Sequence, residues 1–99
     1  MEILKIEEEF YSLFNESRKG KSNNYFLFIN KYDDKARILI ESFNPKKEKK
    51  VYVIDNFEMP SIAVSHKAKR SPALIYFKNG RERVEEIPHQ IRITLNDLF

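Results

Sequence analysis

The sequence predicts a single α/β domain spanning residues 1–99, and four observations carry that prediction. Tyr25-Phe-Leu-Phe-Ile29 is five consecutive apolar residues, the mark of a strand buried on both faces. It runs through Asn30 to Asp34 into a segment whose apolar residues, Ala36, Leu39, Ile40 and Phe43, fall at helical spacing. Val51-Tyr-Val-Ile54 then repeats the buried-strand pattern, and Lys78-Asn79-Gly80 marks a hairpin near the C-terminal end. Together these give the order β-α-β-α-β-α-β-β-α: a parallel βαβ unit followed by a hairpin.

Taken in order, Glu2 to Lys5 is a short edge strand. Ile6, Phe10, Leu13 and Phe14 recur at i, i+4, i+7 and i+8, the stripe of an amphipathic helix. Glu7, Glu8 and Glu9 occupy its first turn, where the helix dipole favours acids, and Arg18-Lys19-Gly20 ends it. Lys21 to Asn24 turns into the first buried strand. The second helix runs from Asp33 to Phe43, and Asn44-Pro45 stops it. Lys46 to Lys50 is a charged loop. The second buried strand ends at Asp55-Asn56, and a short helix follows from Glu58 to Lys67 with Pro60 in its first turn. Ser71-Pro72 introduces the apolar strand Ala73 to Phe77. Arg81 to Ile87 pairs back on it, and Pro88 closes that strand. Leu95, Leu98 and Phe99 form a last apolar face at helical spacing, while the β-branched Ile91 to Thr94 leaves the start of that helix open.

Composition narrows the function more by exclusion. The 99 residues hold no cysteine, which removes disulfides, thiolate chemistry and cysteine-based zinc sites. Eighteen basic against fifteen acidic residues give +3, short of the concentrated basic face of a dedicated nucleic-acid binder. Met1 to Phe10 is acidic and lacks the pattern of a signal peptide, and no apolar run reaches the roughly 20 residues that span a bilayer. The expectation is a cytoplasmic protein with no membrane segment.

Two stretches carry a family resemblance. Phe28-Ile-Asn-Lys-Tyr32-Asp33-Asp34-Lys35-Ala36-Arg37-Ile38-Leu39 lies along the pattern aromatic-x-x-x-Trp-Cys-Gly-Pro-Cys-basic-apolar-apolar. Ser71-Pro72-Ala-Leu-Ile-Tyr-Phe-Lys-Asn-Gly80 follows it in the order of a proline-led strand and hairpin. In both, the chain resembles the thioredoxin family. The resemblance covers the whole chain and implies a three-layer α/β/α domain with a mixed central sheet. It puts Tyr32 at the tryptophan, Asp33 and Ala36 at the two cysteines, and Pro72 at the cis-proline. The family's buried acid aligns with Leu27 and its lysine partner with Val51. The glycine after the hairpin becomes Pro88, and the small residue two before the cis-proline becomes Arg70. Thiols and proton relay are thus missing together, so the implied member is redox-inactive. Thiol–disulfide exchange needs an attacking thiolate.

A strand feeding directly into a helix puts its junction residues at a helix N-terminus, which favours anions. Asp33 has two readings there: a permanent carboxylate where the family holds a thiolate, or a plain N-cap. Asp33 and Asp34 are not expected to act as an acid/base pair, because adjacent residues at a helix start point apart and no nucleophile accompanies them. The chain is read as no enzyme, with no cofactor. His66 and His89 stand isolated, so no metal is expected.

By resemblance, the backbone before Pro72 pairs with an extended peptide; the alternative is a purely structural turn. Arg70 either gates the groove against Asp33 or Asp34 or is simply solvated. Tyr32 either contacts a partner or packs over the helix start. The function expected is a non-redox module that holds a protein or peptide, as adaptor, accessory subunit or chaperone-like factor. It would use a groove of Tyr32, Asp33, Asp34, Lys35, Arg70, Ser71, Pro72 and Pro88. The alternative is an electrostatic binder of RNA or another polyanion through Lys46 to Lys50, with Lys67, Lys69 and Arg70 adding charge. Aromatic residues are not interleaved with those lysines as a stacking platform requires.

Overall fold

The computed structural model describes residues 2–41, 51–65 and 71–98. Nine elements follow one another: β1 (Glu2–Ile3), α1 (Glu7–Arg18), β2 (Tyr25–Ile29), α2 (Asp34–Glu41), β3 (Val51–Asp55), α3 (Pro60–Ser65), β4 (Ala73–Lys78), β5 (Arg81–Glu85) and α4 (Pro88–Leu98). The strands form one sheet in the order β1-β3-β2-β4-β5. β1 and β2 run parallel to β3, whereas β4 runs antiparallel to both β2 and β5. A mixed sheet results, with β2 at its centre.

Tyr25 to Ile29 takes that central place because both of its faces are apolar. Phe26 and Phe28 point into one core with Phe10 and Phe14 of α1 and Ile62 and Ala63 of α3. Leu27 points the other way, into a second core with Leu39 of α2 and Ile91 and Leu95 of α4. Helices therefore cover both faces, giving three α/β/α layers. The first core is rich in aromatic rings: Phe10 lies 5.1 Å from Phe26 and 5.2 Å from Phe14, between ring centroids. Such pairs add to the burial term about 0.5–1.5 kcal/mol each.

Several ends follow their local chemistry. α1 closes with Gly20 at φ 76, while Lys21 N–H donates to the Glu16 carbonyl and Gly20 N–H to that of Ser17. That is a Schellman cap. Asn79 and Gly80 both have positive φ, 53 and 75, so the hairpin turns with the hand its strands' twist favours.

Other ends differ from the sequence reading. β1 stops at Ile3, yet Leu4 is buried and its N–H still bonds to Val53. α3 begins at Pro60 rather than Glu58, because Glu58 and Met59 N–H groups both turn back to the Asp55 carbonyl. Pro88 does not close a strand. β5 ends at Glu85, and Pro88 opens α4, where a missing N–H costs nothing. The β-branched Ile91-Arg-Ile-Thr94 is helical because Ile91 and Leu95, four apart, both reach the second core. Tertiary burial overrides local propensity. Phe43, Asn44-Pro45, the Lys46 to Lys50 loop, His66, Lys67, Lys69, Arg70 and Phe99 lie outside the described residues, as does the side chain of Leu98. No helix among the described residues is long and apolar enough to cross a membrane.

Candidate functional site

β2 and β3 are parallel neighbours, but the chain leaving β2 enters α2 on one face and the chain leaving β3 leads to α3 on the other. In open α/β sheets, ligands favour the place outside the carboxyl ends of strands whose connections part in this way. The segments that line it are set by short-range bonds. After β2, Asp33 N–H donates to the Asn30 carbonyl at 2.9 Å, closing a turn that lifts Tyr32 off the body. Asp33 then caps α2: its Oδ1 accepts from Lys35 N–H at 3.1 Å, and its carbonyl accepts from Arg37 N–H. After β3, the buried Asp55 accepts from Phe57 N–H through Oδ1 at 2.9 Å, and Asn56 N–H donates to Ile29 at 2.7 Å. This turn, built by an aspartate on its own backbone, holds Phe57 beside Tyr32.

The two rings are 6.4 Å apart and tilted by 50°. Tyr32 is 81% exposed and Phe57 65%, the two most exposed large hydrophobic side chains among the described residues. Lys31 Nζ sits over the Tyr32 ring, 5.2 Å from its centroid. Asn56 Oδ1 is buried and has no hydrogen-bond partner among the described residues. Phe57 was not among the residues singled out from the sequence. It is a lone aromatic between Asn56 and Glu58, and only the pairing of Ile29 with Asp55 brings it to Tyr32.

Ser71 and Pro72 arrive from the other side of β2. Ser71 Oγ accepts from Asn30 N–H at 2.9 Å, and the Ser71–Pro72 peptide bond is cis. Pro88 starts α4 at the same end of the sheet, since Leu74 near the start of β4 pairs with Glu85 at the end of β5. Tyr32, Asp33, Asp34, Lys35, Ser71, Pro72 and Pro88 thus share one end of the sheet; Arg70 lies outside the described residues. Asp34 is exposed and pairs with Arg37 at 3.5 Å. Its neighbour Asp33 is engaged by the helix. His89 is exposed, and among the described residues no three His, Cys, Asp or Glu side chains gather as a metal site needs. The Lys46 to Lys50 loop of the polyanion reading is outside the described residues.

The positions aligned with a proton relay are filled by hydrocarbon. Leu27 and Val51 are both buried and belong to one cluster with Leu39 and Leu74. A carboxylate or an ammonium there would have to shed its water.

No protein-family model matches the chain, and no curated protein matches it in sequence. Solved structures do match in shape. Thioredoxin O2 from Arabidopsis thaliana superposes with a TM-score of 0.73 at 23% identity, over 99% of this chain and 93% of that one. Thioredoxin NaTrxh from Nicotiana alata gives 0.77 at 13% identity, over 97% and 90%. The thioredoxin of Fasciola hepatica gives 0.72 at 16%, over 98% of each chain. The chain is therefore similar to thioredoxins in fold along its whole length. It is a cysteine-free protein of the thioredoxin fold.

Proposed function

We propose that this chain is a non-redox interaction module that holds a protein or peptide partner at the carboxyl end of its sheet. One observation carries the reading: two large aromatic rings, Tyr32 and Phe57, stand in solvent side by side beyond the carboxyl ends of β2 and β3. Neither ring serves the two hydrophobic cores. Scattered exposed apolar residues need no explanation, whereas adjacent ones mark contact surfaces, and tyrosine is enriched among residues that dominate binding. Asp33, Asp34 and Lys35 on one flank and the half-buried Ser71 on the other would form the polar rim, with the exposed Pro88 beside it and Pro72 buried beneath. Catalysis is not part of the proposal, since no residue of the chain supplies a thiolate. Adaptor, accessory-subunit and chaperone-like roles all use such a surface.

The test is capture from the protein's own cells by the wild-type chain and by a Tyr32→Ala/Phe57→Ala double variant. Both side chains are exposed, so the variant should unfold at nearly the wild-type temperature. The expected result is loss of the wild-type partner. A folded double variant that captures the same partner in the same amount would contradict the proposal.

A further inference from the structure

The same end of the sheet also carries the chemistry of a particular side chain. The structure assigns it a preference for a guanidinium group, presented by an arginine on an extended segment of the partner; this inference rests on the interaction reading above. Four features of the two segments that carry the rings favour that group. The Tyr32 face already holds a cation, the Lys31 ammonium at 5.2 Å, and the residue is exposed to solvent. Phe57, tilted by 50° at 6.4 Å, supplies a second ring for a planar group to stack on. Asp33 follows Tyr32 directly in the chain and spends only Oδ1 on its cap, whereas Asp34 is already paired with Arg37. Finally, Asn56 Oδ1 is an acceptor that lacks a donor among the described residues. Asn56 as a whole is part-exposed, so rotation about its side-chain bonds can present that oxygen to an incoming N–H.

Arginine matches this set better than lysine. Its plane stacks on aromatic faces, it is weakly hydrated, and it carries five donors in a fixed fork. An ammonium is a compact, strongly hydrated point charge with no plane to stack. Leucine would cover the rings but leave the Asn56 amide oxygen and the second carboxylate oxygen of Asp33 unanswered. Lys31 then acts as an internal competitor for the Tyr32 face, which the partner's arginine displaces.

The experiment titrates the full, isotope-labelled chain with blocked Gly-Ser-X-Ser-Gly peptides in low salt, where X is arginine, citrulline, lysine or leucine. Citrulline keeps arginine's shape and loses its charge. Amide shifts at residues 31–34 and 56–58 report the site. The arginine peptide should bind there about tenfold more tightly than the citrulline and leucine peptides, and more tightly than the lysine peptide. Phe57→Ala should remove most of that advantage. Lys31→Ala should tighten the arginine peptide by about twofold or more. Equal binding of lysine would mean that charge alone is read, and would overturn the assignment. Equal binding of leucine or citrulline would overturn it too, while leaving the interaction surface standing. Failure of every peptide to shift these amides would also overturn it, and the partner capture would still decide the broader reading.

Discussion

Asp33 works as the cap of α2. Its Oδ1 accepts from Lys35 N–H at the start of α2, which satisfies one of the helix's unpaired donors. Asp33→Ala should therefore cost about 0.5–2 kcal/mol in a urea titration, whereas Asp33→Asn should cost far less. An alanine variant as stable as the wild type would remove the cap from the account. Leu27 makes the complementary case. It is buried on the α2 and α4 side among Leu39, Val51 and Leu74. Leu27→Asp should destabilise the domain by about 3 kcal/mol or more, because the carboxyl meets no partner in that cluster. A tolerated Leu27→Asp would mean the core still accommodates an acid. The cap was legible in the sequence, since an aspartate before a helical stripe is a familiar start. Phe57 was not. No periodicity singles it out, and its closeness to Tyr32 depends on strand pairing far along the chain.

At the scale of elements, α4 shows where local reading fails and what holds the helix in compensation. Ile91 to Thr94 favours extended backbone, but Ile91 and Leu95 reach the second core. A polar tie adds to this. Thr94 Oγ1 donates to the Glu85 carboxylate at 2.8 Å, and Tyr76 OH donates to Glu85 Oε1 at 2.6 Å. These groups line a shallow depression of ≈ 370 Å³ between β5 and α4. Because Glu85 is answered by two hydroxyls, we read it as an anchor for the helix. Thr94→Val should cost about 1–3 kcal/mol and raise amide exchange in α4 ahead of the rest of the domain. Uniform exchange would argue against the anchor.

Tyr76 gives the same tie a pH signature. Burial, then the hydrogen bond and charge of Glu85, push its phenol from 10.0 up to about 12. The folded state thus holds the proton more tightly than the unfolded chain. The resulting stability is fully present below about pH 10 and is lost as pH rises through about 12. In urea midpoints measured across that window, Tyr76→Phe should decline less steeply than the wild type. Parallel curves would contradict the assignment. A slope should persist in the variant, because burial, then Glu85 for Tyr25 and then Glu2 for Tyr52, raises those two phenols as well.

For the molecule as a whole, the layered fold was largely written in the pattern of apolar residues. Phe26, Leu27 and Phe28 are apolar in succession, and a strand so made has to be covered on both sides; the two cores do this. The hairpin was equally legible, because Asn79-Gly80 supplies the positive φ values that its turn needs. The residues of the candidate site come from separate segments: Tyr32 to Lys35 follow β2, whereas Ser71, Pro72 and Pro88 flank β4 and open α4 at the same end of the sheet. That Phe57 joins them was not legible in the sequence, because it depends on the pairing of β2 with β3, a property of topology and of no single segment. We propose that a partner sits at the end of the sheet where the exposed Tyr32 and Phe57 rings lie side by side. The most direct test places a photo-crosslinking side chain at Phe57, and separately at the exposed Ile93 on α4, in the chain expressed in its own cells. A discrete covalent adduct is expected from position 57 and none from position 93. An adduct from 93 with none from 57 would contradict the proposal.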